Sequence, residues 1–235
     1  DHRDTFRRRL ALVAGHVGQG RILDVGAGYG YLADAAVPTF RERWVVELSD
    51  AAARRVSAEH KVVVGDIESV ELPRGYFDVV SLQDCFEHLP DPRAALGKIR
   101  DVLRPGGALL AVTPNAGSWL ARVQGSSWVS LKFPEHVILY SRDNLRRVLE
   151  SNGFAVESMT PAIGITSSST SMRSARTNQR ASSAIVRPCR IGSGPAPTKL
   201  SQPSRSSDPS TGRPTGFGRS STHTALPRFA ASSST

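Results

Sequence analysis

The sequence predicts an α/β fold over residues 1–160, a mostly parallel sheet with helices covering both faces. Short apolar runs alternate with helical patterns from residue 21 to residue 113, and crossovers of that length join parallel strands. A glycine-rich turn at Gly26, Gly28 and Gly30 leads from the first strand into a helix. The periodicity stops beyond Pro161, which bounds the fold.

Each element has its own signal. Phe6, Leu10, Val13 and Val17 recur three or four apart and predict a helix over 4–18. Arg21 to Val25 is a short strand, and a helix follows from about Tyr31. Trp44 to Val46 is a second strand that stops at Glu47. A helix is expected over 51–59, with strands over 61–64 and 77–82. Asp91 to Leu103 reads as a helix ended by a Pro105-Gly106-Gly107 turn, and Ala108 to Thr113 as a strand. After an aromatic stretch, Trp119 to Tyr140, Ser141 caps a helix over 142–151 that closes at Asn152-Gly153. Phe154 to Met159 is the last expected strand.

Composition divides the chain in two. Residues 1–160 hold 20 basic and 20 acidic residues, whereas residues 161–235 hold ten Lys/Arg and one acid, Asp208. The net charge of +9 therefore belongs to the tail. The overall charge gives no sign of a basic nucleic-acid groove on the front part. The tail, with 18 Ser and 9 Thr, lacks the apolar surface needed to offset chain entropy, so disorder is expected over 161–235. The abrupt change also fits a shifted reading frame of a GC-rich gene, which translation of the other two frames would test. Cys85 and Cys189 form no metal or disulfide pattern, so no metal is expected. The longest apolar run, Ala108 to Val112, is too short to span a bilayer, and a cytoplasmic location is expected. The chain opens on Asp1, as a fragment or a processed product does.

The chemistry-bearing stretch is Ile22-Leu23-Asp24-Val25-Gly26-Ala27-Gly28-Tyr29-Gly30. Glycines at alternate positions let the backbone turn and let a ligand approach without a Cβ in the way. A dinucleotide loop, G-x-G-x-x-G, would need its third glycine at residue 31, which is Tyr. Asp24 also puts negative charge where a pyrophosphate would sit, and it suits a ligand carrying an amine. Glu47 ends the second strand 23 residues later, the place from which an acid grips ribose hydroxyls.

These motifs, with Gly65-Asp66-Ile67, Phe77 to Asp84, Glu87-His88-Leu89-Pro90-Asp91-Pro92 and Leu103-Arg104-Pro105-Gly106-Gly107, resemble the S-adenosylmethionine-dependent methyltransferases of the Rossmann-like class. The similarity is to the ubiquinone-biosynthesis type of small-molecule methyltransferase, over about residues 5–160. It implies a three-layer sandwich and S-adenosylmethionine as cofactor. Asp24, Gly26, Ala27, Gly28 and Gly30 would cradle its methionine part, and Glu47 with Leu48 would meet the ribose edge. Asp66 would accept from the adenine amino group, Ile67 would flank the ring, and Gln83 would line the site.

That fold ends on an antiparallel strand pair inserted at the sheet edge. Phe154 to Met159 supplies one strand, and the sequence shows no second, so the terminal hairpin strand is expected to be missing and an edge left unpaired. On the acceptor side, His136 is the candidate base, while Trp119 and Trp128 either wall a planar acceptor or cover the core. The expected activity is methyl transfer to an O or N atom of a small molecule. A degenerate module that binds without turnover, and an RNA or protein methyltransferase tethered by the basic tail, stand as alternatives.

Overall fold

A computed structural model describes residues 2–17, 19–163 and 180–188, all within one compact unit, Asp1–Gly194. The order is α1 (His2–Val17), β1 (Arg21–Val25), α2 (Tyr31–Ala36), β2 (Glu42–Glu47), α3 (Asp50–Ala53), β3 (Lys61–Val64) and β4 (Phe77–Gln83). Then come α4 (Pro92–Val102), β5 (Leu103–Pro114), α5 (Trp119–Gln124), α6 (Arg142–Ser151), β6 (Phe154–Ile163) and β7 (Arg180–Pro188). The sheet runs β3-β2-β1-β4-β5-β7-β6. β1 to β5 are parallel, and β7 lies antiparallel between β5 and β6.

Strand alternation divides the core. Ile22, Val79, Ala108 and Leu110 face Phe6, Leu10 and Val13 of α1 and Leu32, Ala35 and Ala36 of α2. The intervening Leu23, Val25, Val80, Leu82, Leu109 and Ala111 face Leu96 and Ile99 of α4 and Leu145 and Leu149 of α6. Because side chains repeat every second residue, Asp24 continues the Ile22 row, and Ser81 and Gln83 continue the Val79 row. Polar residues thus complete the α1/α2 face at its C-terminal end, where open parallel sheets bind ligands.

The α/β sandwich is as expected, with one large correction and several smaller ones. The strand expected to be missing is present: Arg180–Pro188 pairs with β5 from Leu109↔Val186 to Pro114↔Ala181 and with β6 along its length. Its apolar centre, Ala184-Ile185-Val186, is buried. Three apolar residues inside a Ser/Arg-rich segment are diluted in any compositional window, which is why they escape a sequence reading. The sheet therefore draws on residues beyond the boundary at 160. The rest of the tail, with Cys189, lies outside the described residues.

The helix expected over 51–59 is only Asp50–Ala53. The chain then tightens, with Arg55 N donating to Ala52 O (2.9 Å) and Val56 N to Ala53 O (3.1 Å). This sets Val56 against Gly30, where an added Cβ would lie 3.0 Å from Val56 Cγ1. The Pro105-Gly106-Gly107 turn is absorbed into β5 as an irregularity, with the register shifting between Phe77 and Val79. Finally, β6 continues to Ile163, because β7 gives it a partner.

Candidate functional site

β1 ends at the glycine loop. Gly26, Gly28 and Gly30 take φ of 68°, 57° and 78°, the left-handed region that L side chains resist. Gly26 is doubly required, because a Cβ there would overlap Cys85 Sγ. A Cβ on Gly28 would meet nothing within 4 Å, so this glycine borders open space. Its amide donates to Glu47 Oε2 (2.7 Å), and Ser49 N donates to Glu47 Oε1 (2.9 Å). Two backbone amides thus orient the Glu47 carboxylate, and each oxygen keeps a lone pair for a further donor.

Asp24 is 2% exposed. Burial pushes its pKa up to about 8, with the adjacent Ser81 hydroxyl opposing the rise and the Glu47 charge adding to it. Its Oδ1 is buried with no hydrogen-bond partner among the described residues. A buried acceptor without a donor is costly. A cationic amine supplies both the missing donor and the missing charge, so the residues present fit an amine-bearing cofactor.

The other expected cofactor residues lie along the same edge. Ala27 sits inside the loop, its carbonyl accepting from Gly30 N (3.0 Å). Leu48 is 72% exposed beside Glu47. Asp66 starts the turn after β3, its Oδ1 accepting from Glu68 N (3.0 Å). Ile67 is packed in the core with Val46 and Val70. Gln83 is held from both ends: its Oε1 accepts from Arg9 Nη1 (2.8 Å), and its Nε2 donates to Ser81 Oγ (2.8 Å).

On the acceptor side, Glu87 is 1% exposed. Its Oε2 accepts from Thr113 Oγ1 (2.8 Å), and burial pushes its pKa up to about 7. Its backbone carbonyl accepts from Val137 N (2.9 Å) and Ile138 N (3.1 Å), which anchors the segment carrying His136. The rings of His136 and His88 meet edge to face with centroids 4.7 Å apart. His88 Nδ1 lies 2.7 Å from Glu135 O, so that nitrogen carries a proton. Burial, then the neighbouring His88, hold the His136 pKa below its ordinary value. Ligand atoms of Glu87, His88 and His136 lie within 4.8 Å of one another, a spacing that a divalent cation could bridge. Spacing alone could not have revealed this trio, since the fold brings His136 to the Glu87-His88 pair. Trp128 is buried, whereas Trp119 and Phe133 project outward.

Four residues of the site escape the sequence reading in their roles. Glu87 stands in a recognised motif, but its burial is tertiary. Ser81 looks like a plain strand serine until register pairs it with Asp24. The Tyr140 hydroxyl is buried without a hydrogen-bond partner among the described residues, over a ring stacked on Phe86. Arg9 did leave a trace, since it stands three after Phe6, on the apolar face of α1.

Comparison with known proteins agrees with this geometry. Residues 2–159 match the family described as "Methyltransferase domain". Malonyl-[acyl-carrier protein] O-methyltransferase of Serratia marcescens is 31% identical over 138 residues, 57% of this chain and 53% of that protein. Ubiquinone biosynthesis O-methyltransferase of Thiobacillus denitrificans is 27% identical over 155 residues, 60% of this chain and 66% of that protein. The chain therefore spans between about half and two thirds of these relatives' length. Among solved structures, Burkholderia thailandensis 1,6-didemethyltoxoflavin-N1-methyltransferase, with bound 1,6-didemethyltoxoflavin and S-adenosylhomocysteine, shares the fold. Its TM-score is 0.57 at 16% identity, covering 79% of this chain and 78% of that one. With a family match running from the first helix to the sixth strand, the chain belongs to the methyltransferase domain family.

Proposed function

We propose that this chain transfers a methyl group from S-adenosylmethionine to an O or N atom of a small-molecule acceptor. The observation that carries the reading is the buried Oδ1 of Asp24 at the head of the glycine loop, without a hydrogen-bond partner among the described residues. An acid there repels a phosphate and attracts the ammonium of an amino-acid moiety. When bound, the cofactor supplies an electrophilic methyl on a sulfonium.

The chain's residues hold and orient. Asp24 accepts from the ammonium, and the glycine loop at Gly26, Ala27, Gly28 and Gly30 admits the methionine part without side-chain obstruction. Glu47, already aligned by two amides, accepts from the ribose hydroxyls beside Leu48. Asp66 accepts from the adenine amino group, Ile67 forms the apolar floor, and Gln83 closes the acceptor side. Alignment of nucleophile, carbon and sulfur contributes on the order of 7–11 kcal/mol. A hydroxyl or ammonium acceptor must also lose a proton. His136, whose pKa is lowered by burial, is neutral near pH 7 and takes it.

Relatives named as O-methyltransferases and the N-methyltransferase of like fold support a small-molecule acceptor. The near-neutral charge of residues 1–160 gives nucleic acid no evident groove. No helix among the described residues is long and apolar enough to cross a membrane, and we assign the enzyme to the cytoplasm. The working domain is residues 1–160 completed by β7, with the remaining tail an appendage.

Titration with S-adenosylmethionine and S-adenosylhomocysteine tests the cofactor. Tritiated methyl transfer from labelled cofactor into a cell extract, with identification of the product, tests the acceptor. Protein that ignores both ligands yet retains NAD sinks the assignment. Binding without transfer to any acceptor reduces it to a module that has lost turnover.

A further inference from the structure

We infer that Arg9 of α1 is a positioning residue, acting through Gln83 and Ser81 to set the direction of a hydrogen-bond chain that ends on Asp24. The inference rests on Asp24 being the partner of the cofactor's ammonium. It adds a residue of the N-terminal helix that touches no cofactor atom in this scheme.

The geometry supplies the links from Arg9 to Ser81 and sets Ser81 beside Asp24. Arg9 is 4% exposed, and its Nη1 lies 2.8 Å from Gln83 Oε1 and 3.4 Å from Asp84 Oδ2. Gln83 Nε2 lies 2.8 Å from Ser81 Oγ. Ser81 is the register partner of Asp24 across β1 and β4, on the same face of the sheet, and its hydroxyl favours the ionised form of the Asp24 carboxylate.

Direction follows from what each group can do. A guanidinium only donates, so Gln83 must turn its carbonyl oxygen toward Arg9. Its amide nitrogen is then left to face Ser81, and it only donates too. The Ser81 oxygen is thereby an acceptor on that side, and its single proton is free for Asp24. Once the cofactor's ammonium ionises Asp24, each donor points from the cation toward the anion, an arrangement in which successive bonds polarise one another in a low dielectric. With Arg9 absent, no other hydrogen bond among the described residues holds the Gln83 oxygen, and the amide is free to flip. Ser81 could then spend its proton on the Gln83 oxygen, leaving Asp24 without that donor.

Placement supports a role beyond packing. Phe6, Leu10 and Val13 already bury α1 against the sheet, so the helix has apolar anchors without Arg9. The segment that Arg9 grips includes Asp84, the one non-glycine residue with positive φ (48°) among the described residues. Strain of that kind persists where the surroundings hold it, and it concentrates at functional sites. Asp84 directly follows Gln83 of the cofactor side and precedes the Glu87-His88 pair of the acceptor side, so the clamp stands between the two.

The test is calorimetric binding of S-adenosylhomocysteine to the full chain, with thermal denaturation of each protein alongside. Three variants separate positioning from structure. Arg9→Met is expected to weaken binding about tenfold, a single hydrogen-bond network's worth, and Arg9→Lys to recover most of it. Gln83→Glu is the sharper probe. It strengthens the contact with Arg9 and preserves shape, but a carboxylate accepts from Ser81 and so draws the serine proton away from Asp24. Its expected signature is binding weakened about tenfold with undiminished thermal stability. Unchanged binding in Gln83→Glu, or in a folded Arg9→Met, overturns the inference. Should Arg9→Met fail to fold, Arg9→Lys and Gln83→Glu decide it. Wild-type protein that binds no S-adenosylhomocysteine removes the cofactor reading itself, a result distinct from equal binding by wild type and variants.

Discussion

Asp24 is a residue whose burial opposes its own charge. Its folded pKa of about 8 stands far above the ordinary 3.8, so near neutral pH the folded chain holds a proton that the unfolded chain has released. The native state then binds more protons, and stability falls as pH rises from about 4 to about 8. Asp24→Asn is expected to raise the melting temperature at pH 9 by a few degrees, roughly 2–4 °C per kcal/mol, and to change little at pH 4. The same variant should weaken S-adenosylhomocysteine binding by about 10- to 100-fold, the scale of a charged hydrogen bond. Paired melting and titration curves check both halves. A variant that is neither stabilised nor impaired would show that the carboxylate meets no ammonium. His136 has the opposite sign. Its pKa sits below the ordinary 6.5, so it serves as a base at pH 7 and loses that capacity as pH falls through the lowered value. His136→Ala is expected to reduce kcat about 10²- to 10⁴-fold without altering cofactor affinity. Equal losses in both would assign the ring to the fold instead.

Elements whose ends carry their own chemistry were legible in the sequence. Ser141 accepts from Asn144 N (3.2 Å) at the start of α6, and Gly153 follows its end with φ of 84°. Asp91 accepts from Arg93 N and Ala94 N at the start of α4. Ser141→Ala should cost about 1 kcal/mol, the usual worth of an N-cap, measured by denaturant unfolding. A loss below a few tenths would mean that packing of Leu145 and Leu149 alone fixes the helix. Elements shaped by neighbours were less legible. The helix expected as far as Glu59 ends at Ala53, where the chain tightens and sets Val56 against Gly30. Arg9 shows the same limit at a single position: its spacing puts it on a buried face, and only β4 says what it meets there.

At the scale of the whole molecule, β7 decides whether β5 and β6 have a partner between them. It covers β5 on one side and β6 on the other, with Ala184, Ile185 and Val186 buried. Burying a single Ile or Val contributes about 1.5–3 kcal/mol, and an exposed β5 edge would invite association. A chain ending at residue 163 is expected to melt lower and to aggregate, while one ending at 194 keeps the full chain's melting temperature. Soluble yield and melting temperature of the two truncations check this. Equal behaviour would mean that β7 adds nothing to the fold.

What the sequence determined by itself was whatever depends on near neighbours in the chain. That includes the strand-helix alternation, the left-handed turns at Gly26, Gly28 and Gly30, and the acids stationed at strand ends at Asp24, Glu47 and Asp66. Local periodicity and backbone chemistry dictate these, so they can be read one segment at a time. What only the tertiary structure decided was pairing across long separations. The fold selects Arg180–Pro188 from a polar segment because β5 and β6 have backbone groups to satisfy, a demand that no window of sequence contains. It also sets Ser81 beside Asp24, Arg9 over Gln83 and His136 against His88, because sheet register and helix docking determine which side chains meet.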